Sequence, residues 1–266
     1  MSGHDEMAHV AGTRLAYEVI GTDPSLVLIH GFALDTRMWD DQIAALAQRY
    51  QIIRYDMRGF GRSALPDGTP YTPAADLKAL LEYLDVGRAT ILGLSLGGGV
   101  ALTFALSYPE ATRSLILVDA MIDGWDWSSA WNEQAGAVWT AGKESGVARA
   151  KERWLALPLF QPARQQPDIA RLLSRMVSDY SGWHWHNDDP QQPPHPPTIL
   201  RLGSIGAPTL ILVGERDVPD FRAMADTLKR GVAHSQHIIL PGVGHLSNME
   251  DSTQFNAIVR RFLDDH

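Results

Sequence analysis

The sequence contains no cysteine, which excludes disulfide bonds and thiolate metal sites. It also lacks any dense cluster of Lys and Arg residues, and its formal net charge is -8 at pH 7. Nucleic acids are polyanions that bind basic surfaces, so this charge balance argues against a nucleic-acid partner.

Long apolar runs are missing as well. The longest, such as residues 208–213, have the length of a strand, whereas a membrane-spanning helix needs about 20 apolar residues. Residues 1–6 are polar and acidic and do not resemble a secretory signal. These features predict a soluble cytoplasmic protein without a membrane partner.

The length of 266 residues suits one α/β domain with room for an inserted segment. Short apolar runs alternate with stretches of helical periodicity, which predicts a mostly parallel, doubly wound sheet of the α/β class. The predicted strands are residues 8–10, 15–20, 25–29, 51–55, 89–92, 114–118, 209–213 and 237–240. The predicted helices are residues 38–46, 76–84, 148–157, 169–177, 221–228 and 254–263, with one more directly after Ser95.

The alternation of strands and helices stops over residues 121–198. This segment contains no convincing strand pattern, ends in a proline-rich run, and holds every tryptophan except Trp39. We therefore expect a helical cap of residues 121–198, inserted between two parts of one core, residues 1–120 and 199–266.

Ser95 stands between a short buried strand and a helical pattern, in the sequence Gly93-Leu94-Ser95-Leu96-Gly97. A turn this tight brings the flanking residues together, so both neighbours need to be glycine. The serine hydroxyl would then project at a helix N-terminus, where free N–H groups stabilise negative charge. The pattern predicts that Ser95 is a nucleophile.

A serine hydroxyl is a weak nucleophile and needs a base, which in turn needs an acid that orients it. His245 follows Gly242 and Gly244 after the last predicted strand, and Asp217 follows the strand before it. Glu215 and Asp119 are alternative acids, since both follow predicted strands. We expect Ser95, Asp217 and His245 to meet at one edge of the sheet, where open α/β folds bind ligands.

These motifs together resemble the α/β-hydrolase superfamily. Its members carry a Gly-x-Ser-x-Gly turn and triad residues in the chain order Ser, Asp, His. His30-Gly31-Phe32 resembles the family's His-Gly-x loop, and residues 56–63 resemble its D-x-R-G-x-G-x-S loop. The resemblance implies an oxyanion hole formed by the N–H groups of Phe32 and Leu96.

Within the superfamily, the compact cap and the HGF loop look like the hydrolases of small esters and lactones, such as enol-lactonase-like proteins. This resemblance implies acyl transfer through Ser95, a small ester or lactone as substrate, and no cofactor. Carbon-carbon bond hydrolases and perhydrolases share much of the pattern, and some proteins of this fold act as small-ligand receptors.

Two further sets of residues invite a functional interpretation. Trp125 and Trp154 are candidate substrate contacts, because large flat side chains can wall an apolar pocket. His184, His186 and His195 could be imagined as metal ligands, but their spacing fits no common site. We therefore predict no metal site.

Overall fold

The computed structural model describes residues 6–266, so most of the N-terminal stretch used to argue against a secretory signal lies outside the described residues. Eight strands form one sheet in the order β1-β2-β4-β3-β5-β6-β7-β8. The strands are β1 (Glu6–Val10), β2 (Thr13–Ile20), β3 (Ser25–Ile29), β4 (Gln51–Tyr55), β5 (Ala89–Leu94), β6 (Thr112–Val118), β7 (Thr209–Gly214) and β8 (Ser235–Leu240). Strand β2 pairs antiparallel with β1 and β4, and all other pairs are parallel.

Helices flank the sheet, and the central strands are therefore buried on both faces. Every residue of β3, β5 and β7 is buried, which explains their continuous apolar sequences. The helices are α1 (Asp40–Leu46), α2 (Pro73–Tyr83), α3 (Leu96–Ser107), α4 (Ser129–Ser145), α5 (Val147–Ala156), α6 (Gln161–Arg164), α7 (Pro167–Asp179), α8 (Pro219–Gly231), α9 (Ser247–Glu250) and α10 (Ser252–Asp265). Within residues 6–266, no helix combines the length and apolar character needed to cross a membrane.

The predicted α/β fold class is confirmed, and each predicted strand overlaps one strand of the sheet. Helix α4 is absent from the prediction because Gly136 and Gly142 weaken its local helix propensity. Gly142 lies directly beneath Trp185, and a Cβ added there would approach the Trp185 Cβ to 2.7 Å. The helix thus depends on a tertiary contact that local sequence does not reveal.

Helices α4 to α7 occupy the stretch between β6 and β7, which contains no strand although every residue in it is described. We call residues 121–198 the insert segment. Its boundaries as a separate structural unit stay a prediction.

Helix α3 lies unusually close to the strands beneath it. A Cβ added at Gly97 would collide with the carbonyl oxygen of Ile29 in β3, and one added at Gly93 would collide with the carbonyl oxygen of Gly97. On the other side of the helix, a Cβ at Gly98 would come within 2.5 Å of the Ala120 Cβ. Backbone groups occupy the space, so a side chain can enter only if the helix moves.

Gly97→Ala is expected to destabilise the protein even though alanine favours helix formation. Overpacking a filled site typically costs about 1–3 kcal/mol in the free energy of unfolding, and here the obstacle is backbone. Gly136→Ala in α4 is the matched control, because a Cβ there meets nothing within 4 Å. The control should gain about 0.5–1 kcal/mol from helix propensity. Urea unfolding of both variants measures the difference, and equal effects would contradict the close approach of α3.

Candidate active site

Ser95 connects the end of β5 to the first residue of α3 in a strained backbone conformation. Its φ is 56° and its ψ is -115°, in a region that residues with side chains rarely occupy. Such strain costs of the order of 1–3 kcal/mol and persists only where the surroundings impose it. Here the Ser95 N–H donates to the Val118 carbonyl at 3.0 Å, and the Ser95 carbonyl accepts from Met121 N–H at 3.0 Å. The turn is therefore fixed by the neighbouring strand β6 and the residues after it.

His245 and Asp217 lie on the loops that follow β8 and β7. The His245 Nδ1 and the Asp217 Oδ2 are 2.8 Å apart, and both side chains are buried. The other Asp217 oxygen accepts the Val218 N–H at 2.7 Å. The structure thus brings together the predicted acid and base in a bond that fixes the imidazole orientation.

Glu250 holds the backbone on both sides of His245. Its carboxylate accepts the Gly244 N–H at 2.5 Å and the Leu246 N–H at 3.1 Å. Burial raises the pKa of the Glu250 carboxyl, while these backbone hydrogen bonds act in the opposite direction. Glu250 positions the histidine loop without contacting the imidazole through a hydrogen bond.

Asp119, the alternative acid, lies beside the same pair. Its carboxylate accepts the Gly214 N–H at 2.7 Å and the Ser247 hydroxyl at 2.7 Å, and neither bond goes to His245. Oxygen and nitrogen atoms of Asp119, Asp217 and His245 all lie within 4.8 Å of one another. Asp217 is therefore the carboxylate that hydrogen-bonds to His245, and Asp119 bonds to Gly214 and Ser247 instead.

The burial of this cluster changes the protonation of its members. Burial, with repulsion from Asp217, raises the pKa of the Asp119 carboxyl well above its usual value. Burial likewise raises the pKa of Asp217, against the opposing hydrogen bond from Val218. Burial lowers the pKa of His245 to about 4, although the Asp119 and Glu250 carboxyls oppose that change. The imidazole is therefore neutral, as a general base must be, over the whole neutral pH range.

Ser95 and His245 open into the same cavity of about 250 Å³. The Ser95 hydroxyl makes no hydrogen bond to any residue in the described part of the chain, so it is available to a ligand. Catalytic hydrogen bonds are often long in ligand-free structures and tighten in the substrate complex.

Phe32 and Leu96, the predicted oxyanion-hole residues, also line this cavity. Within residues 6–266, neither backbone N–H has a hydrogen-bond acceptor. Leu96 is the first residue of α3, where the helix cannot supply an acceptor. The loop of Phe32 is held by His30, whose Nδ1 is 2.8 Å from the Gly31 carbonyl while its Nε2 accepts the Met57 N–H at 3.0 Å.

The two tryptophans predicted as substrate contacts lie in different places. Trp154 lines the cavity, and its buried indole nitrogen has no hydrogen-bond partner among the described residues. Trp125 is not among the lining residues, and its indole N–H donates to Asp220 at 3.4 Å. Trp127 and Trp131 line the cavity near this position, with ring centroids 4.8 Å apart.

Sequence reasoning also missed Phe221, which lines the cavity, and Ser247, whose hydroxyl donates to Asp119 at 2.7 Å. The ring centroids of Phe221 and His245 lie 4.3 Å apart, and Phe221 forms part of the cavity wall. Phe221 is the third residue of α8, directly beyond the Asp217 loop. Its closeness in sequence to Asp217 is the one feature that could have indicated a place beside the site.

The histidines considered as metal ligands do not converge. His184 stacks on Phe60 with ring centroids 4.4 Å apart, and its Nδ1 lies 2.6 Å from the Tyr180 hydroxyl. In the described part of the chain, the single group of three possible ligands is Asp119, Asp217 and His245, whose atoms bond to one another and to the backbone.

The sequence profile described as alpha/beta hydrolase fold matches residues 24–252. The chain belongs to the α/β-hydrolase family. The 3-oxoadipate enol-lactonase 2 of Acinetobacter baylyi is 28% identical over 248 residues, which cover 90% of this chain and 90% of that protein. The match confirms the predicted resemblance to enol-lactonase-like members of the family.

Two other comparisons are narrower in what they establish. An uncharacterized protein of Mycobacterium tuberculosis is 42% identical over 113 residues, which are 42% of this chain and 33% of that protein. The match thus spans about a third of the mycobacterial protein. The enol-lactonase from Burkholderia xenovorans LB400 superposes with a TM-score of 0.82 at 24% identity, covering 97% of this chain and 100% of that one. At this identity the likeness supports the α/β-hydrolase fold alone.

The pH dependence of ester hydrolysis should reflect the burial of His245. An unperturbed histidine would give an apparent pKa of about 6.5, but burial lowers the pKa of His245 to about 4. As the pH falls through this value the imidazole gains a proton and can no longer accept one. We expect kcat/KM to stay constant down to about pH 6 and to fall only in more acidic solution. An acidic limb centred near pH 7 would contradict the effect of burial.

Replacing the two acids should separate their roles. Asp217→Asn should lower kcat/KM by the order of 10³-fold or more, because the amide no longer stabilises the correct tautomer. Asp119→Asn should lower kcat/KM by less than about tenfold, because the two hydrogen bonds of Asp119 go to Gly214 and Ser247 and not to the imidazole. Steady-state kinetics on an activated aryl ester measures both, with circular dichroism as the control for folding. The reverse order of damage would assign the acid to Asp119.

Proposed function

We propose that this chain is a serine hydrolase that cleaves a small-molecule carboxylic ester or lactone through an acyl-enzyme on Ser95. The observation that carries the proposal is the 2.8 Å bond between Asp217 and His245, whose ring lines the same cavity as the Ser95 hydroxyl. The enol-lactonase relative, matched over 90% of both chains, supports the same class of substrate.

In the proposed reaction, the Ser95 oxygen attacks the carbonyl carbon of the substrate while His245 Nε2 accepts the hydroxyl proton. Asp217 accepts a hydrogen bond from the Nδ1–H of His245 and stabilises the imidazolium that forms. The N–H groups of Phe32 and Leu96 donate to the developing oxyanion. His245 then protonates the leaving oxygen, and a water molecule activated by the same base hydrolyses the acyl-enzyme.

The identity of the nucleophile limits the chemistry. Hydrolases of this fold that open epoxides or displace halide form an ester with a carboxylate at the position of Ser95, and a serine hydroxyl does not readily perform that step. Acyl transfer needs only the groups described above. It therefore accounts for the strained serine, the unpaired N–H groups and the oriented histidine with no additional component.

Covalent labelling tests the nucleophile directly. A serine-directed sulfonyl fluoride should modify Ser95, located by mass spectrometry of the digested protein, and Ser95→Ala should lose about 10³-fold or more of the esterase activity. Ser107→Ala is the matched control, because Ser107 is an exposed residue of the same helix. That variant should retain both labelling and turnover.

The same measurements separate an enzyme from a receptor of the same fold. Multiple turnovers of 4-nitrophenyl acetate, with a burst equal to the enzyme concentration, indicate an acyl-enzyme that is hydrolysed. Labelling at a different serine, or full activity of Ser95→Ala, would refute the proposal. Binding of esters without multiple turnover would assign the chain to the receptor class.

A further inference from the structure

The wall of the active-site cavity is apolar apart from the catalytic groups. In the described part of the chain, His245 is the single lining residue with an ionisable side chain, and Ser95 is the single hydroxyl. The remaining lining residues are aliphatic, aromatic, methionine or glycine. A substrate group that enters this space must therefore leave its water shell without gaining an ionic partner from the protein.

Two sets of packed aromatic rings line the cavity. Trp127 and Trp131 stack at 4.8 Å, and Phe221 meets both edge-on at 5.6 Å while lying 4.3 Å from His245. Beside the oxyanion loop, Trp154 lies 5.1 Å from Phe32 and 5.6 Å from Phe160. The faces of these rings gain contact with alkyl and aromatic groups. Their only polar groups are uncharged indole N–H groups, of which that of Trp154 has no partner among the described residues.

A negative charge, that of Asp220, lies behind one part of the wall. Asp220 accepts the Ser128 N–H at 2.9 Å and the Ser128 hydroxyl at 2.7 Å, and so holds the chain next to Trp127. Hydrogen bonding to Ser128 and Trp125 lowers the pKa of Asp220, although burial opposes this, and the group remains ionised at neutral pH. An anionic substrate would thus face both desolvation and repulsion.

We infer that the acyl group of the substrate is uncharged and apolar, an alkyl or aromatic chain. This inference rests on the proposed ester or lactone hydrolysis and narrows its substrate. A lactone closed from a dicarboxylic acid retains one free carboxylate, and burial of a carboxylate without a partner is strongly unfavourable. The cavity therefore excludes the monoesters and lactones of dicarboxylic acids that keep such a group, and it selects neutral esters and lactones.

Three methyl esters of matched size test the inference, with the acid released at pH 7.5 followed by titration. Methyl 5-methylhexanoate is neutral and apolar, monomethyl glutarate is its anionic isostere, and dimethyl glutarate is polar but uncharged. We expect kcat/KM for the anionic ester to be at least about a hundredfold below that of the apolar one. The kcat/KM for dimethyl glutarate should lie between these two values. The comparison separates the effect of charge from that of polarity.

The pH provides a second readout on the unaltered protein. Monomethyl glutarate becomes neutral as the pH falls toward the carboxyl pKa of about 4.3. Its kcat/KM relative to dimethyl glutarate should rise between pH 7.5 and pH 5, and titration of the enzyme itself cancels in this ratio. A constant ratio would overturn the inference.

A variant that adds a cation should reverse the preference. Ala135 is a half-buried lining residue of α4, so Ala135→Arg adds a flexible guanidinium at the cavity wall. Ala135→Gln is the matched neutral control. The ratio of anionic to apolar ester turnover should rise about tenfold or more in the arginine variant over the glutamine variant.

The possible outcomes separate the substrate class from the reaction. Equal turnover of the anionic and apolar esters, with Ser95 labelled by the sulfonyl fluoride, would overturn the uncharged acyl group and leave the hydrolase intact. If no ester is turned over and Ser95 is not labelled, the proposed function itself fails. Preference for the neutral esters together with labelling of Ser95 supports both.

Discussion

The contact between helix α3 and the sheet depends on backbone packed directly against backbone. Gly93 and Gly97 leave no room for a Cβ, so the helix begins immediately after β5 and its first N–H groups point into the space above the strand ends. That placement puts the strained serine and an unpaired donor side by side. The loops that follow β3, β7 and β8 reach the same edge because their strands run parallel to β5. The site is therefore a consequence of strand direction combined with one close helix contact.

The acids behind His245 create a second constraint, an excess of buried negative groups. Asp119 and Asp217 lie within 4.8 Å of one another, and Glu250 is close enough to influence the imidazole. Two buried carboxylates at this distance repel each other, so a proton held between them lowers the energy of the cluster. Hydrogen bonds from Gly214, Ser247 and Val218 stabilise the remaining charge. In the proposed acyl transfer, the imidazolium of His245 would form beside these carboxyl groups and be stabilised by them.

The sequence predicted the fold and the positions of Ser95, Asp217 and His245 because each depends on a local pattern. Buried strands are continuous apolar runs, and the tight turn at Ser95 requires glycines at fixed positions. The cavity wall could not be predicted in the same way. Trp125 and Trp127 are two residues apart in a loop. Trp125 bonds to Asp220, whereas Trp127 packs on Trp131 and lies on the wall, and neither contact is visible in the local sequence. Helix α4 and the partnership of Asp119 with Ser247 likewise depend on contacts between residues distant in sequence.

The rings around Phe32 join the oxyanion loop to the insert segment. Phe32 lies within 6.0 Å, between ring centroids, of Trp139, Trp154, Tyr180 and Trp185, all of which belong to that segment. The segment is built mainly from helices and, among the described residues, pairs with the core through one isolated β-bridge, between Gln191 and Tyr71. Regions outside a central sheet often open at lower free energy than the sheet. Loosening of the insert segment would release the ring of Phe32, whose backbone N–H is the predicted oxyanion donor. The proposed hydrolysis would then be lost on warming while the far-ultraviolet signal of the sheet is still intact, so we expect thermal inactivation to precede global unfolding.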